Sequence, residues 1–384
     1  MRSPSSVPDF AKAYSNLGDA LMGQGKFDEA VAACRQAIGI KPDLAEAHSN
    51  LGNALFGQHK LEEAVAAYRQ AISIKPDFAG AHSNLLLCLN YDDKLTNDHL
   101  FAAHREWDER YSERAPTFTT YDNDRGATRR LRIGYLSPDF RQHSVAYFVE
   151  PLLRGYDRQK VEVFCYAEVT WPDSVTTRLQ GLADHWLVTV GLSDQRLAER
   201  IRCDGIDILV DVAGHTAGNR LLVFARKPAP VQVTWLGYPN TTGLKAIDYR
   251  LVDAVTDPAG EAVVWASETL VRLEDGFVCY GGLRDGPEPT PPPCLKTGTV
   301  TFWVVQQPGQ DIDGHLRCLG KVALLVTPSA ADTEGNIVRR CRYPRVVLGP
   351  LRRGRCRGGP DRTSDLAARY HRAPSALPSG RHCT

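Results

Sequence analysis

No stretch of this 384-residue chain approaches the ~18 consecutive apolar residues that a membrane helix needs. Its first residues, MRSPSSVPDF, carry neither a basic segment nor an apolar core. No membrane association is therefore expected, and a cytoplasmic chain is the default. The ten cysteines are scattered over the whole length without one C-x-x-C pair, so neither a structural zinc spacing nor a small disulfide scaffold is expected. They read as reduced thiols, mostly core or incidental. There is no G-x-G-x-x-G, no G-x-x-x-x-G-K-[ST] and no H-E-x-x-H. A dinucleotide, a P-loop nucleotide and a zinc protease centre thus lack their usual sequence support, and no metal or cofactor is expected.

What is present is an ordinary globular composition, 43% apolar and 24% charged, with room for two or three domains. The net charge of +1 hides an asymmetry. From Trp303 onward the chain holds thirteen Arg, one Lys and six Asp or Glu, a net +8, which leaves −7 for the residues before it. A basic segment of that kind is read first as a nucleic-acid arm. Here the arginines have neither aromatic stacking platforms nor a known motif around them, so no nucleic-acid partner is expected.

A repeat dominates the amino-terminal third. PDFAKAYSNLGDALMGQGKFDEAVAACRQAIGIK from Pro8 is followed by PDLAEAHSNLGNALFGQHKLEEAVAAYRQAISIK from Pro42, and PDFAGAHSNLLLCLN starts at Pro76, a period of 34 residues. Gly18 and Gly52, Ala30 and Ala64, Ala37 and Ala71, and the closing Pro42 and Pro76 recur at tetratricopeptide spacing. Each unit reads as two antiparallel helices, with a small residue at the crossing and a Gly-Gln-Gly or Gly-Gln-His turn between them. Two and a half units are too few to bury a continuous face, so the helix-like stretch from Asn97 to Arg114 is expected to act as a terminal cap. Repeats of this kind mostly bind peptides on a concave face. The Asn16, Asn50 and Asn84 ladder either grips a peptide backbone there or bonds between neighbouring helices. Residues 8–116 make up this region.

A polar, turn-rich linker at 117–129 precedes a change of periodicity. Leu131 to Leu136, Val161 to Ala167, Ile206 to Val212, Val231 to Leu236 and Ile247 to Val252 are short β-branched runs. Amphipathic stretches such as Asp194 to Arg202 and Asn219 to Ala225 lie between some of them. The pattern predicts a mostly parallel sheet covered on both faces, an open Rossmann-like α/β lobe over 130–302. Ligands on such sheets sit beyond the carboxyl ends of the strands. There the sequence places His143 after the first strand, at or near a helix start, then Asp211-Val212-Ala213-Gly214-His215-Thr216, then Leu236-Gly237-Tyr238-Pro239-Asn240-Thr241-Thr242-Gly243. Taken singly these are weak signals, because a lone His is more often a hydrogen-bonded structural residue and a Gly-Tyr-Pro turn is usually a turn.

The segments LRIGYLSPDFRQHSVAYFVEPLL, DILVDVAGHTAGNRLLVFARKPAPVQVTWLGYPNTTGLKAIDYRLVD and ETLVRLEDGFVCY resemble the amino-terminal catalytic half of the O-linked N-acetylglucosamine transferase family, bacterial members included. Repeats directly upstream match that family's domain order, and the resemblance covers roughly residues 8 to 302. It implies a glycosyltransferase of two facing Rossmann-like lobes that moves N-acetylglucosamine from UDP-N-acetylglucosamine to protein Ser or Thr hydroxyls with inversion and without a required metal. It implies that His143 lines the active site as a candidate general base, and that His215, Tyr238, Pro239, Thr241 and Thr242 face sugar or acceptor. A hydroxyl nucleophile benefits from such a base. The leaving diphosphate needs cations and N–H donors, which the family's second lobe supplies.

That second lobe is expected to open with a sequence like VTFGSFNNPAKI, but Val300-Thr301-Phe302 continues as WVVQQPGQD. GSFNNPAKI written as GGG TCG TTC AAC AAC CCG GCC AAG ATC, with one T placed in front, translates as WVVQQPGQD. Pro328 to Gly335 back-translates likewise to RRLLILK, a strand-like peptide, in its other frame. A frameshift at Phe302 explains both, together with the arginine excess and the absence of Phe from residues 303–384. That tail is expected to be mostly unfolded. The sequence therefore predicts a transferase by family that lacks its nucleotide-binding lobe and is inactive as written. The alternative is a tetratricopeptide module that holds protein partners without chemistry.

Overall fold

A computed structural model describes residues 7–112, 115–126, 128–260 and 262–282. The expectations for the tail beyond Phe302 lie outside these residues. Six helices come first: α1 (Val7–Gly23), α2 (Phe27–Ile40), α3 (Ala45–Gly57), α4 (Leu61–Ile74), α5 (Ala79–Leu89) and α6 (Asn97–Tyr111). They form the antiparallel pairs that the 34-residue period predicts. The glycines at the crossings are required by distance: a Cβ on Gly18 would come within 2.5 Å of Cys34 Sγ, and one on Gly52 within 2.6 Å of the Tyr68 ring. The turn inside each repeat needs a left-handed residue, supplied by Gly25 (φ 72°) in the first and by His59 (φ 60°) in the second.

The α/β part has the order β1 (Leu131–Ser137), α7 (Ser144–Gly155), β2 (Val161–Ala167), α8 (Ser174–Gln180), β3 (His185–Val188), α9 (Asp194–Cys203), β4 (Ile208–Asp211), α10 (Leu221–Ala225), β5 (Val231–Thr234), β6 (Tyr249–Asp253) and β7 (Thr269–Leu273). All neighbouring strands pair in parallel, in the order β3-β2-β1-β4-β5-β6-β7. A helical repeat region followed by a parallel α/β sheet is the fold class read from the sequence. Two strands escaped that reading: β3 is only four residues long, and β7 lies in a segment noticed only for its family likeness. The apparent strands around Ile206, Val231 and Ile247 are shorter than their apolar runs.

Two connecting segments make more contacts than the sequence shows. α6 packs on the last repeat helix, where the cap is expected, and its other side is not free. Its Trp107 is 1% exposed and donates to the Ala79 carbonyl of the repeats, while Arg105 and His104 on the same helix bond to loops of the α/β part. One apolar cluster accordingly runs unbroken from Ala30 and Leu55, through Trp107, to Phe224 and Leu244. The linker is a strap across the amino ends of the strands. Phe118 N donates to the Arg226 carbonyl, Tyr121 Oη to the Lys227 carbonyl, and Asn123 to the Asp207 carboxylate. A second cluster, built on Val149, Leu153, Leu179 and Trp235, covers the other face of the sheet under α7 and α8.

Among the described residues no helix is long and apolar enough to cross a membrane. The described cysteines are all free, with Cys34, Cys88 and Cys165 buried and Cys203 and Cys279 exposed. Burial pushes the Cys34 and Cys88 thiols up to about 11, which keeps them protonated and unreactive.

Candidate functional site

The chain runs outward from β1 through β2 to β3, then returns to β4 on the other side of β1, so the strand order reverses between β1 and β4. Loops leaving two adjacent strands in opposite directions open a crevice at their carboxyl ends. Here the loops after β1 and β4 touch, since a Cβ on Gly218 would lie 3.0 Å from Pro138.

His143 stands at this point as the N-cap of α7, its Nδ1 accepting from Val145 N at 3.3 Å. Its side chain is 36% exposed, and Nδ1 lies 3.6 Å from Oδ1 of the buried Asp139. Burial raises the Asp139 carboxyl above the ordinary range, while His143 and Arg141 pull it back. Gln142 N donates to Asp173, the capping residue of α8, at 2.6 Å, which fixes the loop on its far side. Tyr147 and Trp171 are exposed on α7 and on the loop after β2. His143 therefore has a fixed ring, a carboxylate neighbour and solvent access, which are the properties a proton acceptor needs.

His215 and Tyr238 also follow strand carboxyl ends, but they turn away from solvent. His215 is fully buried: its Nε2 contacts the Thr242 carbonyl at 2.8 Å and its Nδ1 the Ser83 hydroxyl of α5 at 3.0 Å. The first contact needs a proton on Nε2, so Nδ1 accepts and the ring is neutral. Burial holds its pKa well below the usual histidine range. Tyr238, 7% exposed, donates to His104 Nε2 at 2.8 Å and accepts from Asn90 at 2.7 Å. His104 gives its own Nδ1 proton to the Leu100 carbonyl at 2.6 Å, and desolvation lowers its pKa to about 4. The rings of His104, Trp107 and Tyr238 stand 5.1 to 5.4 Å from that of His215.

The loop after β5 is bound in the same way. Thr241 Oγ1 donates to Glu268 Oε2 at 2.6 Å, Thr242 N to Glu268 Oε1 at 2.8 Å, and the Thr242 hydroxyl also donates to Oε1. Gly243 adopts φ 77° where a Cβ would strike the His104 carbonyl at 2.3 Å, so only glycine lets α6 approach. Asp211, at the end of β4, accepts from Ala213 N, Gly214 N and Thr234 Oγ1, and burial raises its carboxyl to about 6. Of the sequence-derived substrate contacts in this loop only Pro239 is exposed, and its carbonyl accepts from Arg250 at 2.9 Å. Leu236 holds φ 73°, a conformation costing a non-glycine residue about 1–3 kcal/mol, beside a cavity of ≈ 230 Å³ that Tyr238, Pro239 and Phe277 help to line. Larger concavities of ≈ 570 and ≈ 670 Å³ lie at the amino ends of the strands, around the Arg129–Asp207 ion pair.

Residues 112–281 match the family model for glycosyl transferase family 41, and residues 18–59 and 45–78 match tetratricopeptide repeat models. The chain carries a glycosyl transferase family 41 domain behind tetratricopeptide repeats. It is 42% identical over 221 residues to the probable UDP-N-acetylglucosamine--peptide N-acetylglucosaminyltransferase SPINDLY of Arabidopsis thaliana, covering 56% of this chain and 24% of that protein. It is 40% identical over 270 residues to the protein of the same name from Solanum lycopersicum, covering 68% and 27%. Among solved structures, a mutant O-GlcNAc transferase of Thermobaculum terrenum superposes with a TM-score of 0.68 at 37% identity, covering 71% of this chain and 52% of that one. The chain spans about a quarter of the length of these curated relatives.

Within this family 41 domain the sequence-derived residues divide into two groups. His143 and Pro239 remain at the surface of the carboxyl-end rim, and His215, Tyr238, Thr241 and Thr242 are sealed into the joint with the repeats. As folded, those four spend their polar atoms on Ser83, Asn90, His104 and Glu268, so an open contact with a ligand is not what surrounds them. The asparagine ladder resolves similarly. Asn50 donates to Ser15 of α1 at 3.1 Å, Asn84 donates to Asn53 of α3 at 3.0 Å, and Asn16 is exposed. Two of the three therefore stitch helices together. Asp139, His104, Asn90 and Glu268 were not singled out from the sequence. Only Asp139 offered a signal there, its place four residues before His143. Among the described residues no group of three or more His, Cys, Asp or Glu side chains is placed to hold a metal.

Proposed function

We propose that the chain is the repeat region and first lobe of a protein O-N-acetylglucosamine transferase that works in the cytoplasm without a metal or other cofactor. The repeats present protein or peptide acceptors, and the donor is the nucleotide sugar UDP-N-acetylglucosamine. The observation that carries this reading is His143, held as the cap of α7 at the point of strand reversal with one face open. An acceptor hydroxyl placed there loses its proton to the imidazole as it attacks the anomeric carbon, and UDP departs on the opposite side. As folded, Nδ1 accepts from Val145 N and the neutral ring carries its proton on Nε2, so to accept a proton at Nε2 the imidazole gives up that cap and turns an Nδ1–H toward the Asp139 carboxylate, 3.6 Å away.

The charge that develops on the leaving diphosphate needs preorganised donors, each commonly worth about 3–4 kcal/mol. Among the described residues the cations of the carboxyl-end rim are engaged with carboxylates: Arg141 leans on Asp139 at 3.9 Å, and Arg220 bonds Glu168 and Asp194. The 384-residue chain is accordingly inactive in this reading, and restoring the frame at Phe302 supplies the missing lobe. A frame-restored chain given radiolabelled donor and a protein acceptor is expected to transfer label, and His143→Ala is expected to reduce that transfer by about a hundredfold or more. Full activity of the His143→Ala variant would remove the histidine from the chemistry and leave the repeats as a binding module.

A further inference from the structure

A chain of hydrogen bonds, all running in one direction, ties the loop after β5 to α5 and α6. Asn240 Nδ2 donates to Asn90 Oδ1 at 2.8 Å, Asn90 Nδ2 to Tyr238 Oη at 2.7 Å, Tyr238 Oη to His104 Nε2 at 2.8 Å, and His104 Nδ1 to the Leu100 carbonyl at 2.6 Å. Its direction is set at the end: a carbonyl only accepts, so the ring proton sits on Nδ1 and Nε2 is left as an acceptor. His104 is fully buried, and the loop lies so close that a Cβ on Gly243 would strike the His104 carbonyl.

A second proton on this ring has no place in the closed arrangement. On Nε2 it turns the acceptor into a donor aimed at Tyr238, whose own hydroxyl proton then loses its acceptor in a buried site. Among the described residues the nearby carboxylates are already engaged. Asp108 of α6 accepts from Arg105 and Lys245 N, Asp257 from Arg250, Glu268 from Thr241 and Thr242, and Asp211 from Ala213 N, Gly214 N and Thr234. What bears on the ring instead is Arg250 of β6 and two further imidazoles, His215 with its centroid 5.4 Å away and His82 of α5.

We infer that His104 is an acid-released latch: a proton on its Nε2 detaches the loop after β5 from α5 and α6 while the repeats and the sheet stay folded. The parts that stay have anchors of their own. Trp107 still donates to the Ala79 carbonyl, no strand pairing of the sheet uses residues 236–244, and Glu268 holds the loop on the lobe side. Closed, the ring takes its second proton only at about pH 4; released, it takes it near the ordinary 6.5. Between those values the opened population grows about tenfold per pH unit for the one proton taken up.

Hydroxyl-radical footprinting of the full chain from pH 7.5 to pH 5, read by mass spectrometry, tests this. Labelling of Tyr238 is expected to rise about tenfold per pH unit below 6.5, while Tyr68 of α4 and Tyr135 of β1, buried to a similar degree, stay protected. His104→Gln, whose amide still accepts and donates but does not titrate, is expected to flatten the rise, and His82→Gln to leave it in place. If His104→Gln does not fold, the order of labelling in the unaltered chain decides alone. Four outcomes overturn the inference: Tyr238 protected down to pH 5, all three tyrosines labelled together, a folded His104→Gln chain that keeps the rise, or a His82→Gln chain that loses it.

Discussion

Glu268 is the residue on which the loop after β5 depends. Its carboxylate accepts from two threonine hydroxyls and a backbone N–H while 4% exposed, and no side chain of the loop itself replaces it. Glu268→Ala leaves those donors buried without a partner, and hydrogen bonds to a charged group contribute about 1.5–3 kcal/mol each. A loss of about 3 kcal/mol in urea-induced unfolding is expected, with Glu268→Gln losing less. A change under 0.5 kcal/mol, about that of a neutral surface substitution, would show that the loop is held elsewhere.

The buried histidines make the molecule acid-sensitive. Burial lowers His82 and His104 from 6.5 to about 4, so the unfolded chain binds more protons between those pH values and stability falls as pH drops through that window. Between pH 7 and pH 5 each costs about 2 kcal/mol, and His215 adds to the same direction. Asp211 opposes them: its carboxyl, raised to about 6, favours the fold on acidification and returns about 1 kcal/mol over the same interval. The urea midpoint is expected to fall from pH 7 to pH 5. A rise would mean that the histidines are not buried neutral.

At this scale the sequence placed His143 correctly on the rim, because a strand, a short loop and a helix start are all local signals. It also placed His215 and Tyr238 after strand carboxyl ends, where they are, but it gave no sign that their side chains turn inward. A residue after a strand end can face the open crevice or turn back, and the choice here was made by His104 and Ser83, more than a hundred residues earlier in the chain.

At the scale of elements, the repeat was the most legible part, since glycine, alanine and proline at fixed spacing state both the crossings and the turns. One turn departs from its own pattern. His59 occupies the left-handed position that Gly25 fills in the preceding repeat, and both are followed by the same backbone bond, Lys26 N to the Leu21 carbonyl and Lys60 N to the Leu55 carbonyl, each 3.0 Å. A left-handed conformation costs a side-chain-bearing residue about 1–2 kcal/mol, offset in part by the greater unfolded-state entropy of glycine. His59→Gly is expected to stabilise the repeats by about 0.5–1 kcal/mol in thermal unfolding. Destabilisation would show that the His59 ring contributes packing worth more than the strain. The least legible element was α6. Its Trp107 and His104 lie on one amphipathic surface, and the pattern alone gives no sign that the helix has neighbours on two sides.

For the whole molecule, the consequence of α6 is that the repeats and the lobe share one core, with the loops nearest the rim bonded to helices α5 and α6. The repeats and the candidate base are in this way joined through one core. The proposed function places the diphosphate clamp in the lobe that a restored frame after Phe302 would encode. The most direct measurement compares two chains in one assay: the 384-residue protein and its frame-restored form, each incubated with radiolabelled UDP-N-acetylglucosamine and a protein acceptor. Transfer is expected from the frame-restored chain and none from the 384-residue protein. Transfer by the 384-residue protein at a comparable rate, abolished by His143→Ala, would contradict it.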